Sequence, residues 1–414
     1  MRVVLTIHHT LDRNSGSPGS TIALAEAYER AGHEVELLSF DDLPGRLSEQ
    51  ARMLAFPAYV ARRLAGPLGR RCDVVDASSG DTWLVARARR LGLRATLVTR
   101  SHGLEHREHL ERLADRSEGR VELSRRYFAY HGGQRLREVA ISLRRADLTF
   151  FLNRDDLEYA VAELGTSRWT AHLVRNGIAT SLLGLPSPQG GGRGDGPRIA
   201  LIARHTNGMG AGYYVPALER ILTQHPGVRV TLLGSNAPAG DVLGDFAGAL
   251  RSRISVVPHY NHAELPRLLA GHEILVSAKV SEGFGKALVE GMACGLAPVT
   301  WATGGPSMIL EHERTGLLVP PRDLEAWIAA VCRLIESPML RLRLRREAHA
   351  AAQHYSWDAT AAHRLGLIEA ARGTWSGAAV ERPPREAGGA ASSGGPQALA
   401  DGPVEPHVGR EQVA

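Results

Sequence analysis

Short apolar runs separated by longer amphipathic stretches recur along this chain. In the first half they are Val3 to Ile7, Val35 to Leu38, Asp73 to Asp76, Thr96 to Thr99, Leu148 to Leu152 and Leu173-Val174. Each is too short for a helix and apolar at successive positions, the pattern of a strand buried on both faces. Between the first two lies Asn14-Ser15-Gly16-Ser17-Pro18-Gly19-Ser20-Thr21, then a helical stretch through Ala31 that Gly32 ends. Strand, glycine-containing turn, helix and strand make a βαβ start. The same alternation resumes at Arg198 to Ile202 and continues through Val228 to Gly234, Ile254 to Val257, Ile274 to Val276 and Pro298 to Thr300, with a short strand within Thr315 to Pro321. The pattern predicts an α/β protein with a parallel sheet in each half.

The breaks in the pattern set the expected boundaries: a first domain over 1–180, a second over 198–355, and a last helix over 356–374. Residues 181–197 contain Gly190-Gly191-Gly192-Arg193-Gly194-Asp195-Gly196 and no apolar period, which predicts a flexible linker. Residues 375–414 are Gly, Ala, Pro and Ser with scattered charge, which predicts disorder.

Composition narrows the function classes. At 414 residues there is material for two full cores. No apolar run approaches the ~18 residues of a membrane span, and Met1 to Ile7 meets His8-His9 and Asp12-Arg13 too soon for a signal peptide. Cys72, Cys294 and Cys332 have neither metal-ligand nor redox spacing, so free thiols of a cytoplasmic protein are expected. The net charge of +5 is spread among 44 acidic residues without an aromatic-interleaved basic run, which argues against a nucleic-acid partner. Arg52 to Arg71 mixes Met53, Leu54, Phe56, Tyr59, Val60 and Leu64 with arginines. That composition suits peripheral docking on the inner face of a membrane, or equally a surface helix and loop interrupted by Pro57 and Pro67. Arginine dominates the 49 basic residues; the lysines are Lys279 and Lys286.

The candidate chemistry centres on Ser281-Glu282-Gly283-Phe284-Gly285-Lys286-Ala287-Leu288-Val289-Glu290. Here a glycine turn joins an apolar strand to a helix with small and apolar residues, an arrangement whose free N–H groups face an anion. The flanking carboxylates repel phosphate but accept hydrogen bonds from sugar hydroxyls. Thr303-Gly304-Gly305-Pro306 repeats the glycine turn one βα unit later, on the same crevice edge. Lys286 stands four residues from each glutamate, so on a continuous helix all three would share a face. Lys279 reads as a solvated loop residue.

The run from Val276 to Pro321 resembles the signature block of glycosyltransferase family 4: two glutamates separated by seven residues, a small-residue helix, a strand and a Gly-Gly turn. The resemblance extends over about residues 1 to 370. It implies the GT-B architecture, two Rossmann-like domains facing a central cleft, and a retaining enzyme that moves a sugar from a nucleotide-diphosphate donor to an acceptor hydroxyl without a metal or other cofactor. It places Glu290 on the ribose, Glu282 on the transferred sugar, and Gly283, Phe284, Gly285 and Lys286 around the sugar diphosphate. Gly16 and Gly19 fall in the N-terminal glycine loop that faces the donor phosphates. His102, in Arg100-Ser101-His102-Gly103, resembles the acceptor-side histidine near the anomeric carbon. Arg204 resembles the arginine that neutralises the leaving diphosphate, but Met209 stands where the family has a lysine. Four readings follow: a shifted register, replacement by Lys286 or His205, or a nucleotide-sugar binder that catalyses little. An inverting base at His8 or His9 and a nucleotide-sugar epimerase are the remaining alternatives. A nicotinamide enzyme lacks its Gly-x-Gly-x-x-Gly turn.

Overall fold

The computed structural model describes residues 1–88, 93–190 and 196–376. Its contacts divide the chain into Met1–Gly373 and Thr374–Ala414. Residues 377–414, where disorder is expected, lie outside the described residues; Thr374 to Ser376 are helical.

Met1–Gly373 carries two six-stranded sheets, parallel throughout. The first contains β1 (Arg2–Thr6), β2 (Glu34–Leu38), β3 (Val74–Ser78), β4 (Thr96–Arg100), β5 (Leu148–Phe151) and β6 (Ala171–Leu173), in the order β2-β1-β3-β4-β5-β6. The second contains β7 (Arg198–Ile202), β8 (Arg229–Leu233), β9 (Ile254–Val257), β10 (Ile274–Val276), β11 (Ala297–Trp301) and β12 (Leu317–Val319), in the order β12-β11-β10-β7-β8-β9. Every strand foreseen from the apolar runs is present, because residues buried on both faces declare themselves without context. The strand order of the second sheet reverses between β7 and β10, the point where such sheets open a crevice at their carboxyl ends.

Both faces of each sheet are covered. Tyr214, Phe246, Trp301 and Trp327 fill one side of the second sheet, and Val289, Met292 and Leu296 the other. At roughly 1.5–3 kcal/mol for each fully buried large apolar side chain, these layers dominate the favourable side of folding.

Two expectations are corrected here. Pro57 does not interrupt a helix: Glu49–Ala65 runs through it, capped by Ser48. Phe56, Val60 and Leu64 are buried against Leu38 and Phe40. Their burial outweighs the ~3 kcal/mol that an internal proline costs. The apolar face of this helix therefore belongs to the core, with Leu54 left exposed. The expected flexible linker is also pinned over most of its described length. His349 donates to the Leu185 carbonyl, Arg346 to Pro188 and Arg345 to Gly190, while Gly184 donates to Gln353. Gly191 to Asp195 lie outside the described residues. No described helix is long and apolar enough to cross a membrane.

The final helix, Trp357–Ser376, packs its described part on the first sheet. Arg364 bonds Asp76 on β3 at 2.6 Å and the Tyr28 hydroxyl at 3.0 Å, all three buried. Arg100 reaches the other Asp76 oxygen at 2.9 Å. Burial alone pushes the Asp76 carboxyl up, but the two guanidiniums prevail and hold it below its ordinary value. Arg30–Asp358 and Arg372–Asp73 pairs flank this contact.

The two sheets also meet across their cleft. Asn153 donates to the Gly283 carbonyl at 2.7 Å, and the His262 amide donates to Asn14 at 2.9 Å. Arg322, with φ of 66°, reaches over to the Glu105–Ser117 helix and pairs with Glu111 at 2.9 Å and Asp115 at 2.7 Å. The acidic face of this helix thus contacts the second sheet's domain.

Candidate active site

The C-terminal ends of β7 and β10 open into a cavity of about 240 Å³ that also touches the Asn14-Ser15-Gly16 turn of the first domain. Its lining includes Arg204, Met209, Lys279, Glu282, Lys286 and Glu290.

The glycine turn shapes this cavity. Gly285 caps the Lys286–Ala293 helix with φ of 98°, a left-handed conformation that glycine adopts without a Cβ clash. The helix begins at Lys286, so Glu282 lies outside it and the expected common face of Glu282, Lys286 and Glu290 does not form. Two separate pairs take its place. Lys279 Nζ stands 3.3 Å from Glu282 Oε2, and Lys286 Nζ stands 3.6 Å from Glu290 Oε1. Lys279 is therefore a cavity residue, contrary to the solvated-loop expectation.

Glu290 is only 2% exposed, and its Oε1, 3.6 Å from Lys286 Nζ and 3.4 Å from His262 Nδ1, makes no hydrogen bond of normal geometry among the described residues. Burial pushes its carboxyl up to about 7, against the opposing pull of Lys286. An unsatisfied buried acceptor is costly, by about 1–3 kcal/mol, unless a ligand donor completes it. Beside it His262, stacked on Tyr260 with ring centroids 5.7 Å apart, is lowered to about 4 by burial and by Lys286. Lys286 also lies 3.5 Å from the Ser15 carbonyl and 3.3 Å from His262 Nδ1, so its ammonium straps the helix start to the opposite domain.

Arg204 lines the cavity, exposed, its side chain without a hydrogen bond or ion pair among the described residues. Its charge contributes to lowering His9 to about 4, after burial and His8. His205 does not serve this cavity. Its two ring nitrogens are engaged by the Tyr214 hydroxyl and Asp245, each at 2.7 Å, which removes it as a replacement cation.

The other expected residues distribute around the cavity. Gly16 lines it, but Gly19 lies within the Ser17–Arg30 helix, where a Cβ would come 2.6 Å from the Arg13 carbonyl. Gly19 lets the loop close onto the helix and does not face the donor space. Gly283 lines an adjoining pocket of about 100 Å³ with Gly103, Asn153, Glu282 and Thr303. The Phe284 side chain is buried beneath the turn against Tyr355. His102 Nε2 lies 3.2 Å from the Ser78 hydroxyl, and burial together with Arg100 keeps the ring well below its ordinary value, hence neutral at pH 7. His8 pairs with Asp81 at 2.7 Å through Nδ1, and Arg135 lies 3.1 Å from its Nε2. With both nitrogens engaged, His8 is poorly placed as an inverting base. Among the described residues no His, Cys, Asp and Glu group could hold a metal ion.

Sequence reasoning missed Lys279 and Arg322. For Lys279 a signal existed: in a chain with only two lysines among its 49 basic residues, a lysine just past a buried strand is unusual. Arg322 gave none, since its partners lie some two hundred residues away, 211 for Glu111.

Comparison with known proteins accords with this geometry. Residues 14–182 match the family model "Glycosyltransferase Family 4", and residues 196–337 match "Glycosyl transferases group 1". A D-inositol 3-phosphate glycosyltransferase of Mycobacteroides abscessus is 30% identical over 175 residues, covering 41% of this chain and 38% of that protein. One from Saccharomonospora viridis is 26% identical over 175 residues, 40% of this chain and 41% of that protein. The chain thus spans about two fifths of the length of these relatives. Among solved structures, sucrose-phosphate synthase of Thermosynechococcus elongatus superposes with a TM-score of 0.72 at 18% identity, covering 90% of this chain and 99% of that one. Anabaena HepE in complex with UDP and glucose gives 0.63 at 16% identity, with 89% and 100% covered. The glycosyltransferase WaaG gives 0.67 at 14% identity, with 88% and 99% covered. The chain belongs to glycosyltransferase family 4 and has its GT-B fold.

Proposed function

We propose that this chain transfers a sugar from a nucleoside-diphosphate donor to an acceptor hydroxyl, with retention at the anomeric carbon. The observation that carries the reading is Glu290, buried at the cavity with an oxygen that makes no hydrogen bond of normal geometry among the described residues. A buried carboxylate in that state selects for a ligand that donates hydrogen bonds, as the vicinal hydroxyls of a ribose do, and discriminates against one that cannot. Glu282 at the same cavity would accept from hydroxyls of the sugar. Arg204 and the first N–H groups of the Lys286–Ala293 helix would meet the diphosphate charge, so the reading assigns no step to a metal. Family resemblance favours front-face attack: the acceptor oxygen bonds to the anomeric carbon as the bond to the diphosphate breaks, and the leaving phosphate oxygen takes the acceptor proton. Neutral His102 would then line the acceptor side without acting as base. That HepE is solved with UDP and with UDP-glucose supports the choice of donor class.

A thermal-shift screen of UDP-, GDP- and ADP-sugars tests the donor class, followed by NMR of the product anomer. Stabilisation by one donor series and a product retaining the donor's anomeric configuration are expected. An inverted product would overturn retention, and an isomerised donor without acceptor would point to an epimerase. Met209 favours one second reading, a donor-binding protein with little turnover; donor hydrolysis or transfer above background would exclude it.

A further inference from the structure

We propose that Lys279 is a diphosphate-binding residue of this chain, forming with Arg204 a pair of cations at the crevice between β7 and β10. The inference rests on the donor reading above and assigns a role to a residue that the reading leaves unused.

The sheet register brings the two side chains together. β10 pairs with β7 as Ile274 to Ile199, Leu275 to Ala200 and Val276 to Leu201. Carried past the strand ends, the same register sets Lys279 alongside Arg204. Both residues lie just past the ends of their strands, on the carboxyl edge where the strand order reverses. Both line the cavity entered by the Lys286–Ala293 helix start. Two adjacent cations repel each other; opposite a doubly charged diphosphate they are satisfied.

The present partners of each cation separate Lys279 from Lys286. Lys286 is engaged by Glu290, His262 and the Ser15 carbonyl, and serves the closure of the cleft. Among the described residues Lys279 holds only Glu282, at 3.3 Å, with both side chains 26% exposed. A pair of that exposure contributes little, ~0.2–1 kcal/mol, and is readily exchanged for a stronger anion. The exchange has a use: as Lys279 turns to phosphate, Glu282 is released to accept sugar hydroxyls.

The turn carrying Met209 supplies a check. Gly210, with φ of 89°, rests so closely on Ala278 that a Cβ would lie 2.2 Å from its carbonyl oxygen. Met209 and Lys279 thus flank one backbone contact and line one cavity. A cation placed at 209 would reach the space that Lys279 serves.

The experiment is calorimetric titration of the full chain with UDP, UMP, GDP and GMP. Wild type should prefer one diphosphate over its monophosphate. Lys279→Met should reduce that preference by about tenfold or more, the size of a charge-assisted contact, while monophosphate affinity holds. The loss should persist in Lys279→Met with Glu282→Gln, where no unpaired carboxylate repels the ligand. Adding Met209→Lys to Lys279→Met should restore the preference. Lys286→Met should instead weaken diphosphate and monophosphate alike. An unchanged preference in a folded Lys279→Met chain would overturn the inference while leaving the donor reading intact, as would a loss that Glu282→Gln abolishes or that Met209→Lys fails to mend. Failure of wild type to bind either diphosphate would overturn the donor reading and the inference with it.

Discussion

Replacing Glu290 by glutamine should flatten the pH dependence of donor-free stability and make the chain a poorer donor binder. In the folded chain the Glu290 carboxyl sits at about 7, against 4.5 as its ordinary value. A raised carboxyl means that the folded state binds the proton more tightly than the unfolded one. Its stabilising contribution is therefore full below the unfolded value and is lost as pH rises through about 7. Between pH 8 and pH 5 this one group should add about 2.5 kcal/mol to wild-type stability as the pH falls, an order-of-magnitude figure from linkage. Glutamine cannot titrate, so the variant lacks that gain. Its amide, where no hydrogen bond is now made, adds a cost of about 1–3 kcal/mol that is the same at both pH values and cancels in the comparison. Urea unfolding of both proteins at pH 5 and pH 8, without donor, gives the difference of differences. The variant should gain about 2.5 kcal/mol relative to wild type on going from pH 5 to pH 8. Parallel pH profiles would refute the reasoning, because Glu290 would then titrate alike in folded and unfolded chains. Donor affinity of the variant should fall in the same experiment series, since glutamine offers one neutral acceptor in place of two anionic ones.

Three further outcomes follow from other contacts. Arg364→Met leaves Asp76 buried with one guanidinium instead of two, and should cost ~3–5 kcal/mol by denaturant unfolding; a loss below ~1 kcal/mol would place that charge in contact with water. Arg322→Gln removes partly exposed pairs to Glu111 and Asp115, each worth ~0.2–1 kcal/mol, and should shift cleft opening by up to about thirtyfold. Small-angle scattering should then show a larger radius of gyration than wild type, and an unchanged radius would remove Arg322 from closure. His102→Gln should lower kcat without altering the pH profile, since the ring is already neutral at pH 7; loss of an ionisation near pH 6.5 would contradict that.

What could be read from the sequence was what is local. The strands were legible because their burial on both faces shows as consecutive apolar residues, and the turn around Glu282 was legible because its glycines, helix and second glutamate are neighbours along the chain. Gly19 was misplaced because a glycine that admits a passing loop looks in sequence like one that admits a ligand. His205 was misjudged because the Asp245 that engages it lies 40 residues away. Lys279 was missed for a different reason. Its partner is three residues off, but whether those residues form a helix, a strand or a turn decides whether the lysine faces water or the cleft. The Gly285 cap, which starts the helix at Lys286, sets that answer and reassigns both lysines.

The contact between Arg364 and Asp76 bears on how the chain is made. These residues are 288 positions apart, yet the first sheet buries Asp76 against the final helix. At ~5–20 residues per second, the ribosome synthesises Arg364 roughly 15–60 s after Asp76. During that interval the nascent first domain holds a carboxylate that lacks one of its two guanidiniums, beneath a hydrophobic face that Trp357, Leu365 and Ile368 will later cover. The domain translated first is thus the one completed last. Chaperone dependence during synthesis should accordingly fall on the N-terminal half, while the second sheet, whose strands and covering helices precede Trp357 in the chain, can close before it.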